Sequence, residues 1–342
     1  MKLPEEKTYL TYNQQMKKLR DDKRIECSGT VHKRILVRTG YFNIVNGYKS
    51  PFTCGKDQDG NHLYLPGTSI DQLYIAKKFD DEMRALLLKQ ITSVEEEVRA
   101  LTSYKIDEYN EGGRIHWFEV AAYDQAVPLQ RKMNMISRAY NELSKYRLGY
   151  VKFYMDNHSH IPTWIMLKAV SFSSFIDILH SSKPEVKHSI CKLYGITDEN
   201  GLPNVKLLIG SLHWMRQLRN SCAHNERIYC LEKGEKEQSS SGRIKEKYIK
   251  MIGKKAYLRP SSKRIFDLLV YMKYYLPDNE YRVFMTDVKR HILSLREQID
   301  AQAFNNVRGK MGIKNVNDLD ILIELPKEKI DYNRFDRILK NN

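Results

Sequence analysis

The sequence predicts an all-α protein, and three observations support this. Apolar residues recur three and four positions apart along most of the 342-residue chain. Persuasive alternating runs, the mark of half-buried strands, are few. Glycine and proline gather in residues 53–68 and at Glu111-Gly112-Gly113, where they punctuate the pattern.

Taken in order, residues 8–22 suit a helix, with Tyr9, Tyr12, Met16 and Leu19 on one stripe. Ser28-Gly29-Thr30 opens a second helix to about Thr39, and residues 41–48 form a short helix or turn between Gly40 and Gly47. Residues 53–68 read as a loop, with room for a small hairpin at Asp59-Gly60. Ser69 or Asp71 caps a long helix to about Tyr109, with a break expected near Lys78-Phe79. Leu86, Leu87, Ile91, Val94, Val98 and Leu101 form its expected buried stripe. Further helices are expected over 128–156, 163–181, 184–194, 203–225, 261–276 and 278–302. Residues 232–247 are polar and read as a mobile loop, and Leu319, Ile321, Leu322 and Ile323 read as a tail patch docking on the core. The expected divisions are 1–68, an N-terminal helical section and loop; 69–231, the helical core; 232–259, a mobile basic loop; and 260–342, C-terminal helices and tail.

An apolar content of 42% with 11% aromatics fits a folded chain and excludes a disordered one. No apolar run approaches the ~18 residues of a membrane span, and the N-terminus lacks the apolar core of a signal peptide. The expectation is a cytoplasmic protein with no membrane partner. Lysine and arginine number 57 against 42 acids, a net charge of +15. Such an excess points to a polyanionic partner, with RNA first among them, although a solvated basic surface has the same composition. Cys27, Cys54, Cys191, Cys222 and Cys230 contain no C-x-x-C pair and read as reduced thiols. The histidines are scattered, and His158 and His160 lack carboxylate partners, so no metal or cofactor is expected.

One stretch carries chemistry: Arg219-Asn220-Ser221-Cys222-Ala223-His224, followed by Asn225-Glu226-Arg227. It closes a helix whose upstream residues include Leu208, Leu212, Met215 and Leu218. Arg216, Asn220, His224 and Arg227 recur at four, four and three, so they share a face. Arg219 stands ~140° from His224, on the flank, at ~100° per residue. One imidazole among guanidiniums suits holding a phosphodiester and moving a proton beside it. The plain structural reading is a pair of cations closing a helix C-terminus. Cys222 reads as a small packing residue.

Arg219-Asn220-x-x-x-His224 resembles the R-x(4–6)-H signature of HEPN (higher eukaryotes and prokaryotes nucleotide-binding) ribonucleases. Other blocks resemble the Abi family of AbiD/AbiF type, similar to bacterial abortive-infection (phage-defence) components. Residues 35–52, with Gly40-Tyr41-Phe42 and Gly47-Tyr48 before Pro51-Phe52, resemble its "GYYRLSGY…PF" block. So do Phe79-Asp80-Asp81-Glu82-Met83-Arg84, leading into Val94-Glu95-Glu96-Glu97-Val98-Arg99, and Pro162-Thr163-Trp164 before Val170-Ser171-Phe172. The blocks stand in family order over roughly residues 8–230. The resemblance implies a HEPN-like helical core with an N-terminal helical extension. It also implies a metal-independent endoribonuclease leaving 2′,3′-cyclic phosphate and 5′-OH ends. His224 would be its general base or acid, Arg219 would stabilise the scissile phosphate, and Asn220 would orient His224 or the phosphate by hydrogen bonding.

One histidine cannot act as base and acid in one step. HEPN enzymes generally pair two motifs. Arg99 and Tyr104 have the spacing of a second half-site, yet a phenol is a poorer base than an imidazole near neutrality. A homodimer through the motif helices, anchored by Leu208, Leu212 and Met215, is therefore expected, unless those residues fill the chain's own core. Arg216, Arg227, Arg147, Lys152, Lys245, Lys247, Lys250, Lys254 and Lys255 are the candidate RNA contacts, several interleaved with tyrosines that stack unpaired bases elsewhere. The alternative is a non-cleaving RNA-binding protein acting with a structured RNA. A purely structural helical bundle is a third reading, which the net charge disfavours.

Overall fold

The structure, a computed structural model, describes residues 9–146, 149–198, 200–232, 242–253 and 264–326. It is all-α: fourteen α-helices and one small hairpin stand among the described residues. The scaffold is α3 (Ile70–Tyr109), 40 residues and therefore ~60 Å long. Ser69 caps it by accepting a bond from the Gln72 amide. It runs without a break at Lys78-Phe79, because Phe79 and Met83 carry the buried face straight through. Leu73, Ala76, Leu87, Ile91, Val94 and Val98 complete that face, while Leu86 and Leu101 are only partly buried.

Ahead of α3, α1 (Tyr12–Lys17) begins with a reciprocal cap between Thr11 and Gln14, then widens into a π turn over Lys18–Asp22. Tyr9 lies outside it and exposed. The second helix, α2 (Gly29–Thr39), ends at Gly40, whose φ of 73° is one that glycine adopts freely. A π turn follows over Phe42–Asn46. The hairpin pairs β1 (Thr53–Lys56) with β2 (His62–Tyr64), and Asp57 accepts from the Asn61 amide to close its turn.

Several expected helices are shorter than their periodicity suggests. The stretch 128–156 holds α4 (Leu129–Lys145) and α5 (Gly149–Asn157). The stretch 163–181 divides into α6 (Thr163–Ala169) and α7 (Phe172–Ser181), because Val170 is extended and Ser171 caps the second helix. After α8 (Pro184–Leu193) comes α9 (Val205–Ala223), with Asn204 capping the Leu207 amide.

The remaining helices are α10 (Arg243–Ile252), α11 (Ile265–Tyr275), α12 (Asp278–Gln298), α13 (Ala301–Met311) and α14 (Asp318–Glu324). Asp300 accepts from Gln302 and Ala303 and so starts α13 where a continuous helix is expected. The tail patch docks through Leu319 and Leu322.

The long helix α3 packs against α6, α8, α9 and α12. One contiguous apolar core runs from Leu19 to Leu325. The N-terminal section is tied to the C-terminal helices as well: Asn306 on α13 donates to the Pro51 carbonyl at 2.7 Å. No described helix is long and apolar enough to cross a membrane.

Candidate active site

The motif helix α9 buries Leu207, Leu208, Leu212, Trp214, Met215, Leu218 and Cys222. This overturns the expected dimer anchor: Leu208, Leu212 and Met215 are fully buried in the chain's own core. Helix α9 then ends in a Schellman arrangement. The Asn225 amide bonds the Cys222 carbonyl at 3.2 Å, and the Glu226 amide bonds that of Ser221 at 2.9 Å. Asn225 takes a left-handed φ of 54°, a role more often filled by glycine. His224 is the C-cap residue and its side chain is exposed.

The loop beyond the motif is fixed by α3. Asp80, 0% exposed, accepts from the amides of Tyr229 at 2.8 Å and Ile228 at 3.1 Å, from the Tyr48 hydroxyl at 3.0 Å and from Arg84 at 3.0 Å. Burial pushes the Asp80 carboxyl above its ordinary value, against the pull of these partners. Arg84 also donates to the Glu226 carbonyl at 3.2 Å, and Arg227 donates to that of Gly47 at 2.7 Å. Two remote segments, at Tyr48 and at Ile228-Tyr229, thus converge on one carboxylate of α3.

Four turns further along α3, a second acid addresses the motif itself. Glu95 pairs with Arg99 at 2.6 Å and lies 3.7 Å from the Arg219 guanidinium. Arg99 also donates to the carbonyls of Val170, at 3.0 Å, and Leu167. Burial pulls the Arg99 guanidinium below its ordinary value, opposed by Glu95 and reinforced by Arg219. Arg219 in turn donates to the Asn220 side-chain oxygen at 3.2 Å.

The motif is split between two clefts in succession along the α3–α9 seam. Arg216, Arg219 and Asn220 line one of about 870 Å³, with Glu95, Arg99 and Trp164. His224 and Arg227 line another of about 880 Å³, with Arg38, Phe42 and Arg84. The predicted common face is therefore divided, with Arg216 and Asn220 in one cleft and His224 and Arg227 in the other.

The other expected residues scatter. Arg99 joins the first cleft, whereas Tyr104 is 46% exposed and does not line it. The two thus do not face one cavity as a half-site. Lys245 is buried against Asp267 at 2.7 Å, which removes it from any RNA-binding surface. Lys247 and Lys250 are exposed on α10, and Lys152 on α5. Gly242, at the start of α10, lies so close to Leu207 that an added Cβ would meet it at 2.6 Å. That is the opposite end of α9 from Arg219, 12 residues or ~18 Å away along the axis. Arg147, Lys254 and Lys255 lie outside the described residues. Among those residues, no group of three or more His, Cys, Asp or Glu is placed to hold a metal ion.

Glu95, Asp80 and Arg84 are functional candidates to which sequence reasoning assigned no role. Their signal was present in the four-residue spacing of Glu95 to Arg99 and Asp80 to Arg84 within the family-like blocks. Comparison with known proteins finds no match among curated proteins or solved structures. The family comparison does match, over residues 34–230, a span that takes in both acidic anchors, Trp164 and the whole motif. On that match the chain belongs to the Abi-like protein family.

Proposed function

We propose that this Abi-like protein is a HEPN-type endoribonuclease of bacterial abortive infection. The observation behind this reading is the pairing of a held guanidinium with an exposed imidazole. Arg219 is oriented by Glu95 in one basic cleft, while His224 stands at the end of the same helix in a second basic cleft. In the proposed reaction the 2′-oxygen of one nucleotide attacks its own 3′-phosphorus as the bond from phosphorus to the 5′-oxygen breaks. A proton leaves the 2′-hydroxyl and one reaches the departing oxygen. His224 serves one of these transfers. Arg219 offsets the charge that builds on the phosphoryl oxygens, and Glu95 and Asn220 hold its orientation. Because the nucleophile belongs to the substrate, the chemistry runs without a metal activating water. The second transfer falls to another group, which a second copy of the chain supplies in a two-fold assembly.

The test is cleavage of RNA by purified chain, with analysis of the product ends. Arg219→Ala and His224→Ala should each abolish cleavage and leave the far-UV circular dichroism unchanged. Cleavage should persist in chelator and leave 2′,3′-cyclic phosphates. Undiminished cutting by both variants, or a strict Mg²⁺ requirement, overturns the mechanism. RNA bound tightly by wild type but never cut would favour the non-cleaving RNA-binding reading.

A further inference from the structure

We infer that Phe42 and Trp164 are stacking platforms that hold the unpaired bases on either side of the scissile phosphate. This rests on the endoribonuclease reading and adds the contacts that position its substrate. Each cleft at the motif contains one large aromatic that the fold leaves in solvent: Trp164 is 54% exposed in the cleft of Arg219, and Phe42 is 73% exposed in the cleft of His224.

Neither ring sits on an idle surface. Trp164 follows the Pro162 that starts α6, and its neighbours Thr163 and Met166 are buried. Phe42 opens a π turn whose third and fourth residues, Ile44 and Val45, are fully buried. Both backbones are therefore anchored while both rings face outward. An anchored, solvent-facing aromatic beside cations is the arrangement by which proteins hold single-stranded nucleic acid: the ring stacks a base and the cation holds its phosphate.

Charge and dimensions agree. Arg38, exposed in the Phe42 cleft, has no ion pair within the described chain. In the other cleft, Lys168 lines the wall with Trp164, its ammonium over the Tyr150 ring at 5.6 Å. Arg219 and His224 are five positions apart, ~7.5 Å along the axis of α9, on the order of one nucleotide step of an extended strand. A strand laid along the seam thus places its phosphate at the motif with a base entering each cleft. A duplex cannot do this, because its bases are already stacked and paired.

Fluorescence anisotropy with a labelled 12-nucleotide single-stranded RNA tests this on the full chain carrying His224→Ala, which blocks turnover. Adding Phe42→Ala or Trp164→Ala should each weaken binding by roughly 5- to 150-fold, from ~1–3 kcal/mol per stacked base at ~1.4 kcal/mol per tenfold. Phe42→Tyr should restore it. A single abasic position should cancel the effect of Phe42→Ala, and a different, nearby position that of Trp164→Ala. Duplex RNA of the same sequence should be indifferent to both variants.

Alanine variants that bind single strands like their parent overturn the inference, as do variants that lose only self-association. If the parent chain binds no RNA at all, the endoribonuclease reading falls with it. Parental binding with insensitive aromatics sinks the stacking inference alone.

Discussion

Replacing Asp80 with alanine should detach the post-motif loop from α3, and the structure sets the size of the effect. The carboxylate is fully buried and accepts from two backbone amides, a tyrosine hydroxyl and Arg84. Alanine leaves Arg84, itself only 6% exposed, without its buried partner. Breaking a buried pair from one side costs ~3–5 kcal/mol. Part of this is recovered, because Arg84 keeps its bond to Asp81. The Ile228 and Tyr229 amides add ~1–3 kcal/mol each if they find no other acceptor. A net ~3–5 kcal/mol is a large share of the ~5–15 kcal/mol that stabilises a typical domain.

Native-state hydrogen exchange is the assay, since it reads opening residue by residue. The amides of Ile228 and Tyr229 should lose roughly a hundredfold or more of protection, at ~1.4 kcal/mol per tenfold. Tyr48→Phe, which removes one hydroxyl, should cost only ~1 kcal/mol. Asp80→Asn should fall between them. Unchanged protection in Asp80→Ala, or a Tyr48→Phe effect equal to it, would refute the view that this carboxylate anchors the loop.

Other expectations follow from the same geometry. Cys222 is buried and its thiol is pushed up to about 12, so it should resist iodoacetamide at pH 8 in the folded chain while exposed Cys54 reacts; peptide mass mapping reads the difference. Lys247 and Lys250 stand on α10, beyond the motif-distant end of α9, so reversing both charges should spare short oligonucleotides. It should flatten the salt dependence of longer RNAs by a slope of about 1.4, from ~0.7 per phosphate contact on a single strand. If two copies complete the site, mixing Arg219→Ala chain into wild type should depress cleavage more than in proportion to its share.

Most helices were legible in the sequence because their caps and stripes are local. Ser69, Pro184 and Asn204 announce α3, α8 and α9, and the motif closes α9 within two residues of the expected end. Two errors go the other way, since no break occurs at Lys78-Phe79 and α10 forms within residues 232–259, which read as a loop; the others fall where a single residue interrupts a pattern that otherwise continues. Val170 and Asp300 sit at the breaks between α6 and α7 and between α12 and α13, yet each also fits the interior of an amphipathic stretch.

The site was legible as a list of residue types and not as a shape. Asp80 and Ile228 are 148 positions apart, and nothing local joins them. Lys245 belongs to a lysine-rich run and reads as surface charge. Its helical phase turns it inward to an acid 22 positions on. Phe42 and Trp164 have the composition of core residues, and only the packed structure leaves their rings outside.

The two anchors on α3 also constrain how the site can be completed. Asp80 and Glu95 are 15 positions apart on one unbroken helix, ~22 Å along its axis. One holds the chain just after His224, and the other addresses Arg219 just before it. The motif is thereby fixed at both ends to a single rigid element. Its geometry does not depend on closure of a loop to bring Arg219 and His224 into register. What the described chain does not place beside them is a second group of matching chemistry, since Tyr104 faces elsewhere and Arg99 is engaged with Glu95 and two carbonyls. The exposed side of His224 is where such a group can approach. With Leu208, Leu212 and Met215 committed to the core, any second copy must dock through surface residues around the His224 cleft. It must also leave the seam between α3 and α9 open to the strand. If two copies complete the site as proposed, a regulator would act most directly on whether they meet, because the placement of Arg219 and His224 within each chain is set by its own fold.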